Sequence, residues 1–405
     1  MLRNSKVFEH ARDRRMGLIG IAVLSAAVVL NSSGAGATGS NSKSPFVIYV
    51  AASLSGPDAS QATGSVQGIR AAAAVVNHSG GIDGHPVSLV VKNDESSVTT
   101  AVSLLEGYVS GGSKPNLVIA GLPEGTANSA LVAVTKAQRL LSFDNSGTAD
   151  TNNPNLYPLN YNVQVSYAAQ AKAFAAHLKS IGVKKVALLA STDAFGQQVV
   201  ATMPNAIQAA GIQVVATATY DDTQIDMTPQ LSKLKSANPD YLVLSAVGAP
   251  LNAILKDRVQ MGWTIPILGD PSVSFSLAGA GLTSQELSGV ATEAFADQVQ
   301  VPPSKQTAAF KTMVTALKKQ GPITETLPIY SQLYDILMVV QAAGDQAHSI
   351  KQSALVKALE NLSADAHHNW VTFKYEGFSK KSHLIQPTKG DFIFPSASAV
   401  AQAHY

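Results

Sequence analysis

From Phe46 onward, short β-branched runs alternate with segments of helical period, and few folds accept that alternation. Phe46-Val-Ile-Tyr-Val50 is an apolar run bounded by turn residues, which predicts a buried strand. The turn Leu54-Ser55-Gly56-Pro57 follows it. Val66, Ile69, Ala73 and Val76 then share one helical face, so an amphipathic helix comes next. Gly80-Gly81 stops that helix, because glycine takes the left-handed C-cap geometry without a Cβ penalty. Val87-Ser-Leu-Val-Val91 starts a second strand and closes a β-α-β unit.

The alternation continues with helices expected over Thr99–Val109 and Ala127–Arg139, and strands over Asn116–Ala120 and Leu140–Phe143. Past a loop rich in Asn, Tyr and Pro, strands at 186–190, 214–218, 241–245 and 265–268 alternate with helices opening at Tyr167, Gln197, Met227 and Pro250. Three long helical segments follow: Ser304–Gln320, Ile329–Gln346 and Ile350–Leu362. Such a series indicates parallel sheets covered on both faces, with ligands bound in the crevice beyond the carboxyl ends of the strands. At 405 residues the chain exceeds one ordinary core, so two domains are expected.

Composition narrows the function. The net charge of +2 and the charged fraction of 14% leave no electrostatic footprint for nucleic acid. Arg3, Lys6, Arg12, Arg14 and Arg15 precede a mostly apolar run, Met16–Leu30, of 15 residues. A spanning helix needs roughly 20, so residues 1–37 read as an export signal, with Ala35-Gly36-Ala37 suited to cleavage before Thr38. A retained membrane anchor is the alternative. Arg14-Arg15 also fits twin-arginine export, although basic pairs are ordinary in such regions. Residues 38–45 read as a flexible linker. With no cysteine, the chain has neither disulfides nor a site for a lipid-modified cysteine anchor.

Leu54-Ser55-Gly56-Pro57, then Asn77-His78-Ser79-Gly80-Gly81-Ile82-Asp83-Gly84, then Asn93-Asp94 resembles the opening of the Leu/Ile/Val-type substrate-binding proteins of ABC transporters. The resemblance extends over roughly Phe46–Phe394, through Tyr334-Asp335-Ile336 in a late helix and Trp370–Gly377, which looks like the family's aromatic hairpin. It implies an α/β fold of two Rossmann-like lobes with parallel sheets, joined by a multi-stranded hinge, the class I periplasmic-binding-protein or Venus-flytrap type. The lobes are expected to be discontinuous: 46–162 plus 292–375, and 163–291 plus 376–405. The implied partners are a small-molecule solute and an ABC permease, with the mature protein a monomer outside the cytoplasm and no cofactor or metal.

The family pattern also points to ligand contacts. Ser55 lies in the turn after the first strand. The next loop carries Glu124 and Thr126 where the family has serines and threonines. An ionised Glu124 would repel an anionic ligand and accept hydrogen bonds from an amine, amide or hydroxyl; turned to solvent or capping the next helix, it has only a structural role. Ser146 and Gly147 would offer backbone amides and Thr148 a hydroxyl to a carboxylate or carbonyl, unless this is an ordinary turn. Thr192-Asp193-Ala194-Phe195-Gly196 loosely matches the family's Asp-x-x-Tyr-Gly, so Phe195 is either an apolar wall of the pocket or core. Asp270 stands near the family's acidic residue for a ligand ammonium, with a loop carboxylate as the alternative. The small residues Ala246–Ala249 leave room for a bulkier solute.

Enzyme chemistry finds no constellation. The sequence lacks a nucleophile elbow, a P-loop and a zinc-spaced His/Glu motif. Adjacent histidines such as His367-His368 point to opposite sides of an extended segment and read as a solvated pair. Tyr220-Asp221-Asp222 and Lys380-Lys381 read as solvated loop charge. Import of a small polar organic solute leads; a sensory protein of the same fold and a secreted α/β enzyme are the alternatives.

Overall fold

The computed structural model describes residues 43–405 except 57–58, 123–125, 146–150, 152, 279, 364–369, 373–376, 386–390 and 404. The first alternating series is β1 (Phe46–Ala52), α1 (Ala59–His78), β2 (Val87–Asn93), α2 (Val98–Ser110), β3 (Leu117–Ile119), α3 (Thr126–Gln138), β4 (Ser142–Asp144) and β5 (Asn160–Val165). The second is α4 (Tyr167–Ser180), β6 (Lys185–Ser191), α5 (Ala194–Ala209), β7 (Gln213–Tyr220), α6 (Thr228–Ser236) and β8 (Tyr241–Leu244). It continues through α7 (Gly248–Gln260), β9 (Ile267–Gly269), α8 (Pro271–Ser276) and β10 (Val290–Thr292). The remainder comprises β11 (Ala294–Phe295), α9 (Ala308–Gln320), α10 (Leu327–Ala347), α11 (Gln352–Leu359), β12 (Leu384–Ile385), β13 (Phe392–Ile393) and α12 (Ala397–Ala401).

Two parallel sheets result, ordered β12-β5-β4-β3-β1-β2 and β10-β9-β8-β6-β7. Apart from β12, both follow one order when strands are counted from the start of each series. Strand β1 shows why its sequence is apolar throughout. Phe46, Ile48 and Val50 pack with α1, α9 and α10 on one face, while Tyr49 and Ala51 pack with Ala101, Leu105 and Leu131 of α2 and α3 on the other. Burial on both faces removes the polar alternation of a half-exposed strand. Strand β6 repeats this, with Ala187 and Leu189 on one side and Val186, Leu188 and Ala190 on the other.

Helix α1 stops as the sequence indicates. Gly80 and Gly81 take φ of +104° and +87°, and the Gly81 N–H donates to the Val76 carbonyl over 2.8 Å. Asn77 then bonds Val87 in both directions, at 3.0 and 2.6 Å, tying the helix end to the start of β2. The Asn77–Gly84 stretch is thus architecture. Against α1 lies α10, buried without interruption from Leu327 to Val340.

The sheets are joined by the passage from β5 to α4, by Thr292–Ala294, and by the return of the chain to β13, which pairs antiparallel with β11. One expected lobe boundary is corrected. The sequence places residues from 376 in the second lobe, yet β12 pairs with β5 in the first sheet. Phe378 packs on Tyr161 at 5.0 Å and His383 stacks on it at 4.1 Å, so this stretch completes the first core. The chain rejoins the second lobe's cores from Ile393 and Phe394 onward, with Phe394 stacked on His177 of α4 at 3.8 Å and Ala397 and Val400 buried beyond it. Trp370–Thr372 form no strand, and the rest of the expected hairpin, like the export signal and His367-His368, lies outside the described residues. Tyr220 is also corrected: it is 2% exposed and donates to the Ser245 carbonyl at 3.1 Å, while Asp221 and Asp222 are exposed as expected.

Arg258 of α7 is buried without a carboxylate, its guanidinium donating to the carbonyls of Ile265, Glu286 and Ser288 at 3.2, 3.0 and 2.8 Å. Arg258→Leu strands these three acceptors at about 1–3 kcal/mol each. Chemical denaturation should therefore show a stability loss of about 3 kcal/mol or more; an unchanged midpoint would mean that water replaces the guanidinium.

Candidate functional site

Of the expected site residues, Ser55, Phe195 and Asp270 lie just past the carboxyl ends of β1, β6 and β9. On the first lobe, the turn after β1 is anchored by Ser53, whose buried hydroxyl donates to Asp94 Oδ1 at 2.7 Å. Ser55 is exposed, and its hydroxyl accepts from Asn93 Nδ2 at 3.0 Å. Thr126 opens α3, but its side chain, like Glu124, Ser146, Gly147 and Thr148, lies outside what the structure describes. The strand leading to the latter loop ends in Asp144, which accepts from Thr151 Oγ1 at 2.6 Å and Asn160 Nδ2 at 3.3 Å.

The second lobe is described more fully. Asp193 caps α5, accepting from the Gly196 N–H and the Ser191 hydroxyl, both at 2.6 Å. A Cβ on Gly196 would collide with the Ser191 backbone, so glycine lets the helix start against the end of β6. That places Phe195 edge-on to Tyr167, ring centroids 5.6 Å apart, and half-buried against the core. Of its two anticipated surroundings, the packing shows the core one. Ala246 is buried beyond β8, whereas Val247, Gly248 and Ala249 are exposed.

Asp270 follows β9 and is fully buried. Its carboxyl caps α8, accepting from the Ser272 N–H at 3.0 Å and from the Ser272 hydroxyl, and Tyr167 Oη donates to it at 3.5 Å. Burial raises its pKa to about 6, against the opposing pull of the hydrogen bonds from Ser272 and Ser245. One residue beyond β10, the Glu293 N–H donates to the Gly269 carbonyl beside Asp270. The Glu293 side chain is fully buried with no hydrogen-bond partner on either oxygen. Burial, then the neighbouring Asp270, pushes its pKa well above the ordinary carboxyl value. The Tyr167 hydroxyl is also raised, by burial and then by Asp270 and Glu293. Among the described residues the ion pairs are Lys43–Asp83 and His383–Glu360, so no protein cation pairs with Asp270 or Glu293. Sequence reasoning missed Tyr167 and Glu293. The signal for the latter was a lone carboxyl inside the apolar run Val290–Phe295.

Among the described residues there is no cluster of metal-ligating side chains and no helix long and apolar enough to cross a membrane.

Two parallel sheets of one strand order, connected by a short antiparallel ribbon, with polar loops gathered at their carboxyl ends, define a two-lobed binding protein of class I. Residues 47–388 match the model of the periplasmic binding protein family, and the chain belongs to that family. No curated protein matches it. An extracellular ligand-binding receptor from Rhodopseudomonas palustris HaA2 superposes with a TM-score of 0.72 at 17% identity, over 90% of this chain and 100% of that one. A type 1 periplasmic binding protein from Bordetella pertussis Tohama I gives 0.69 at 20% identity, over 85% and 95%. An ABC transporter solute-binding protein from Rhodopseudomonas palustris BisB5, in complex with 3,4-dihydroxybenzoic acid, gives 0.67 at 18% identity, over 87% and 96%.

Proposed function

We propose that this protein is the exported solute-capturing component of an ABC importer and holds a small polar organic solute, an amino acid, amide or related compound, between two closing lobes. The observation that carries the reading is the buried pair Asp270 and Glu293, which has no protein cation among the described residues. Two carboxyls held in a low dielectric await a donor, and a solute ammonium or amide supplies it. Tyr167 and Phe195 form the apolar and hydroxyl wall beside them, and Glu124 adds a further acceptor. Ser55, Thr126 and the loop Ser146–Thr148 take the solute's carbonyl or carboxylate. The acidic wall disfavours an anionic aromatic acid such as the one bound to the Rhodopseudomonas protein. Closure on the solute shifts an open–closed equilibrium that the permease reads, and no catalytic step is involved.

A thermal-shift screen of amino acids, amides, polyamines and aromatic acids tests this, since a ligand specific to the folded state raises the melting temperature by mass action. Donor-rich, cationic or amide solutes are expected to stabilise the protein. In Glu293→Gln the best of them should bind more weakly by about 1.5–3 kcal/mol, the value of a charge-assisted hydrogen bond. Stabilisation by aromatic acids alone, or turnover of a hydrolase substrate with no stabilising solute, would overturn the reading.

A further inference from the structure

A cavity of about 550 Å³ opens on the first lobe, at the end opposite the solute crevice. Ser142 and Asn160, the first residues of β4 and β5, belong to its lining, whereas the crevice lies beyond the carboxyl ends of the strands. Helix α3 runs from one to the other. It starts at Thr126 beside the crevice loop, and its last turn reaches the cavity after 13 residues, a span of about 20 Å.

The buried polar groups of this cavity bond one another. Thr135 Oγ1 lies 3.2 Å from Ser142 Oγ, which donates to Asn160 Oδ1 at 2.8 Å, and Asn160 Nδ2 donates onward to Asp144 and to the Thr151 carbonyl. Exposed side chains carry the uncommitted chemistry. Val132, Lys136 and Arg139 follow one another at spacings of four and three residues, so they share one face at the end of α3. The Lys136 ammonium sits 4.8 Å from the ring centroid of Tyr157, another lining residue, and a ring face attracts a cation without cancelling its charge. Arg139 is exposed just past the helix, at φ +53°, with its N–H donating to the Lys136 carbonyl and the Leu140 N–H to the Thr135 carbonyl. An arginine thus stands at the left-handed C-cap position that glycine takes without strain. Leu156, also in the lining, is 52% exposed. Asn153 holds it there: its carbonyl accepts from the N–H groups of Leu156 and Tyr157 at 3.0 and 2.8 Å, and its Oδ1 from the Asn155 N–H at 3.0 Å.

Charge selects the ligand's head. No Asp or Glu is among the described lining residues, and the ion pairs of the described chain involve neither Lys136 nor Arg139. Apolar surface selects its body. Tyr157, the one aromatic in the described lining, already engages Lys136, and the other apolar lining residues, such as Val132 and Leu156, are aliphatic. We infer that this cavity is a second binding site, for a small aliphatic carboxylate whose head pairs with Lys136 and Arg139 and whose chain lies against Val132 and Leu156. A carboxylate bonded to two cations makes charge-assisted hydrogen bonds, and the cavity's volume is in the range of small-molecule sites. Because the site stands at the far end of α3 from the crevice, it does not depend on which solute the crevice takes.

Calorimetric titration of the purified full chain with sodium octanoate tests the site, with acetate as the control that lacks the chain and octan-1-ol as the control that lacks the charge. Saturable heat is expected for octanoate, and binding of either control should be at least about tenfold weaker, which corresponds to 1.4 kcal/mol. The double variant Lys136→Gln, Arg139→Asn should weaken octanoate by a similar factor. Both positions are exposed and asparagine tolerates the left-handed backbone, so the fold is kept. Leu156→Ser should weaken octanoate and leave acetate unchanged, which a general loss of positive field would not do. The absence of saturable heat in the parent, or octan-1-ol binding as tightly as octanoate, would overturn the site. Unchanged octanoate affinity in the folded double variant would place the anion elsewhere on the chain and overturn it as well.

Discussion

Gly68→Ala is expected to lower the stability of the folded chain by about 3 kcal/mol, the upper range for overpacking a close contact. Gly68 sits in α1 where that helix meets α10, and a Cβ there would overlap the Tyr330 carbonyl oxygen and lie 2.9 Å from its Cα. The obstacle is backbone, which no rotamer change can relieve. Helix α10 cannot retreat either, because it is held on other sides by polar contacts. Asp335 accepts from the N–H groups of Val371 and Thr372 at 2.9 and 2.8 Å, and Ser331 bonds Asp297 and Thr372. Gly64, one turn earlier, is less tight: its nearest neighbour is an Ile329 methyl at 3.1 Å, the movable end of a side chain. Gly64→Ala should accordingly cost less than Gly68→Ala. Urea denaturation of both variants measures the difference, and equal midpoints would refute the rigid crossing.

Glu293→Gln should make the free protein more stable at neutral pH while weakening its solute binding. The sign follows from linkage. Burial holds the Glu293 pKa above its value of 4.5 in the unfolded chain, so the folded state keeps its proton after the unfolded state has lost it. Stability from this group is highest below the unfolded pKa and falls as pH rises toward the folded one. The slope is up to about 1.4 kcal/mol per pH unit. Asp270, Asp297 and Asp335, raised to about 6, 7 and 7 chiefly by burial, act in the same direction. The half-buried His177 and the buried His383, both lowered by burial, act oppositely as pH falls. Comparing parent and variant isolates one carboxyl from these. Denaturation from about pH 5 to pH 8 should show a flatter curve for Glu293→Gln, with the two curves diverging as pH rises. Parallel curves would mean that Glu293 ionises alike in both states. A gain in stability joined to a loss of affinity is the mark of a residue kept for binding.

Most of the fold is legible in the sequence because the strands are buried on both faces, so runs such as Phe46–Val50 and Val186–Ala190 stand out by composition alone. Strand β5 was hidden by its chemistry. Asn160, Asn162 and Gln164 read as loop, yet all six residues are buried, and Asn160 and Gln164 find partners in Ser142, Asp144 and Gln332. Strands β10 to β13 have two or three residues, too few for any period to show. Helix α9 starts at Ala308 rather than Ser304 because Thr307 caps it, accepting from the Phe310 N–H at 3.1 Å. Of the candidate site, Asp270 and Phe195 are legible in local motif, whereas Tyr167 and Glu293 join them only through the sheet order, which brings residues 103 and 126 positions apart together.

Strand β12 has a consequence for how the chain is made. It covers the outer edge of β5, which otherwise presents a row of unpaired backbone groups, and it comes from the last part of the sequence. A nascent chain that has already synthesised every helix of the first half still lacks the piece that seals it. A chain cut before Leu384 would therefore leave Asn162 to Val165 of β5 without their partner strand, a new open edge prone to pairing with another chain.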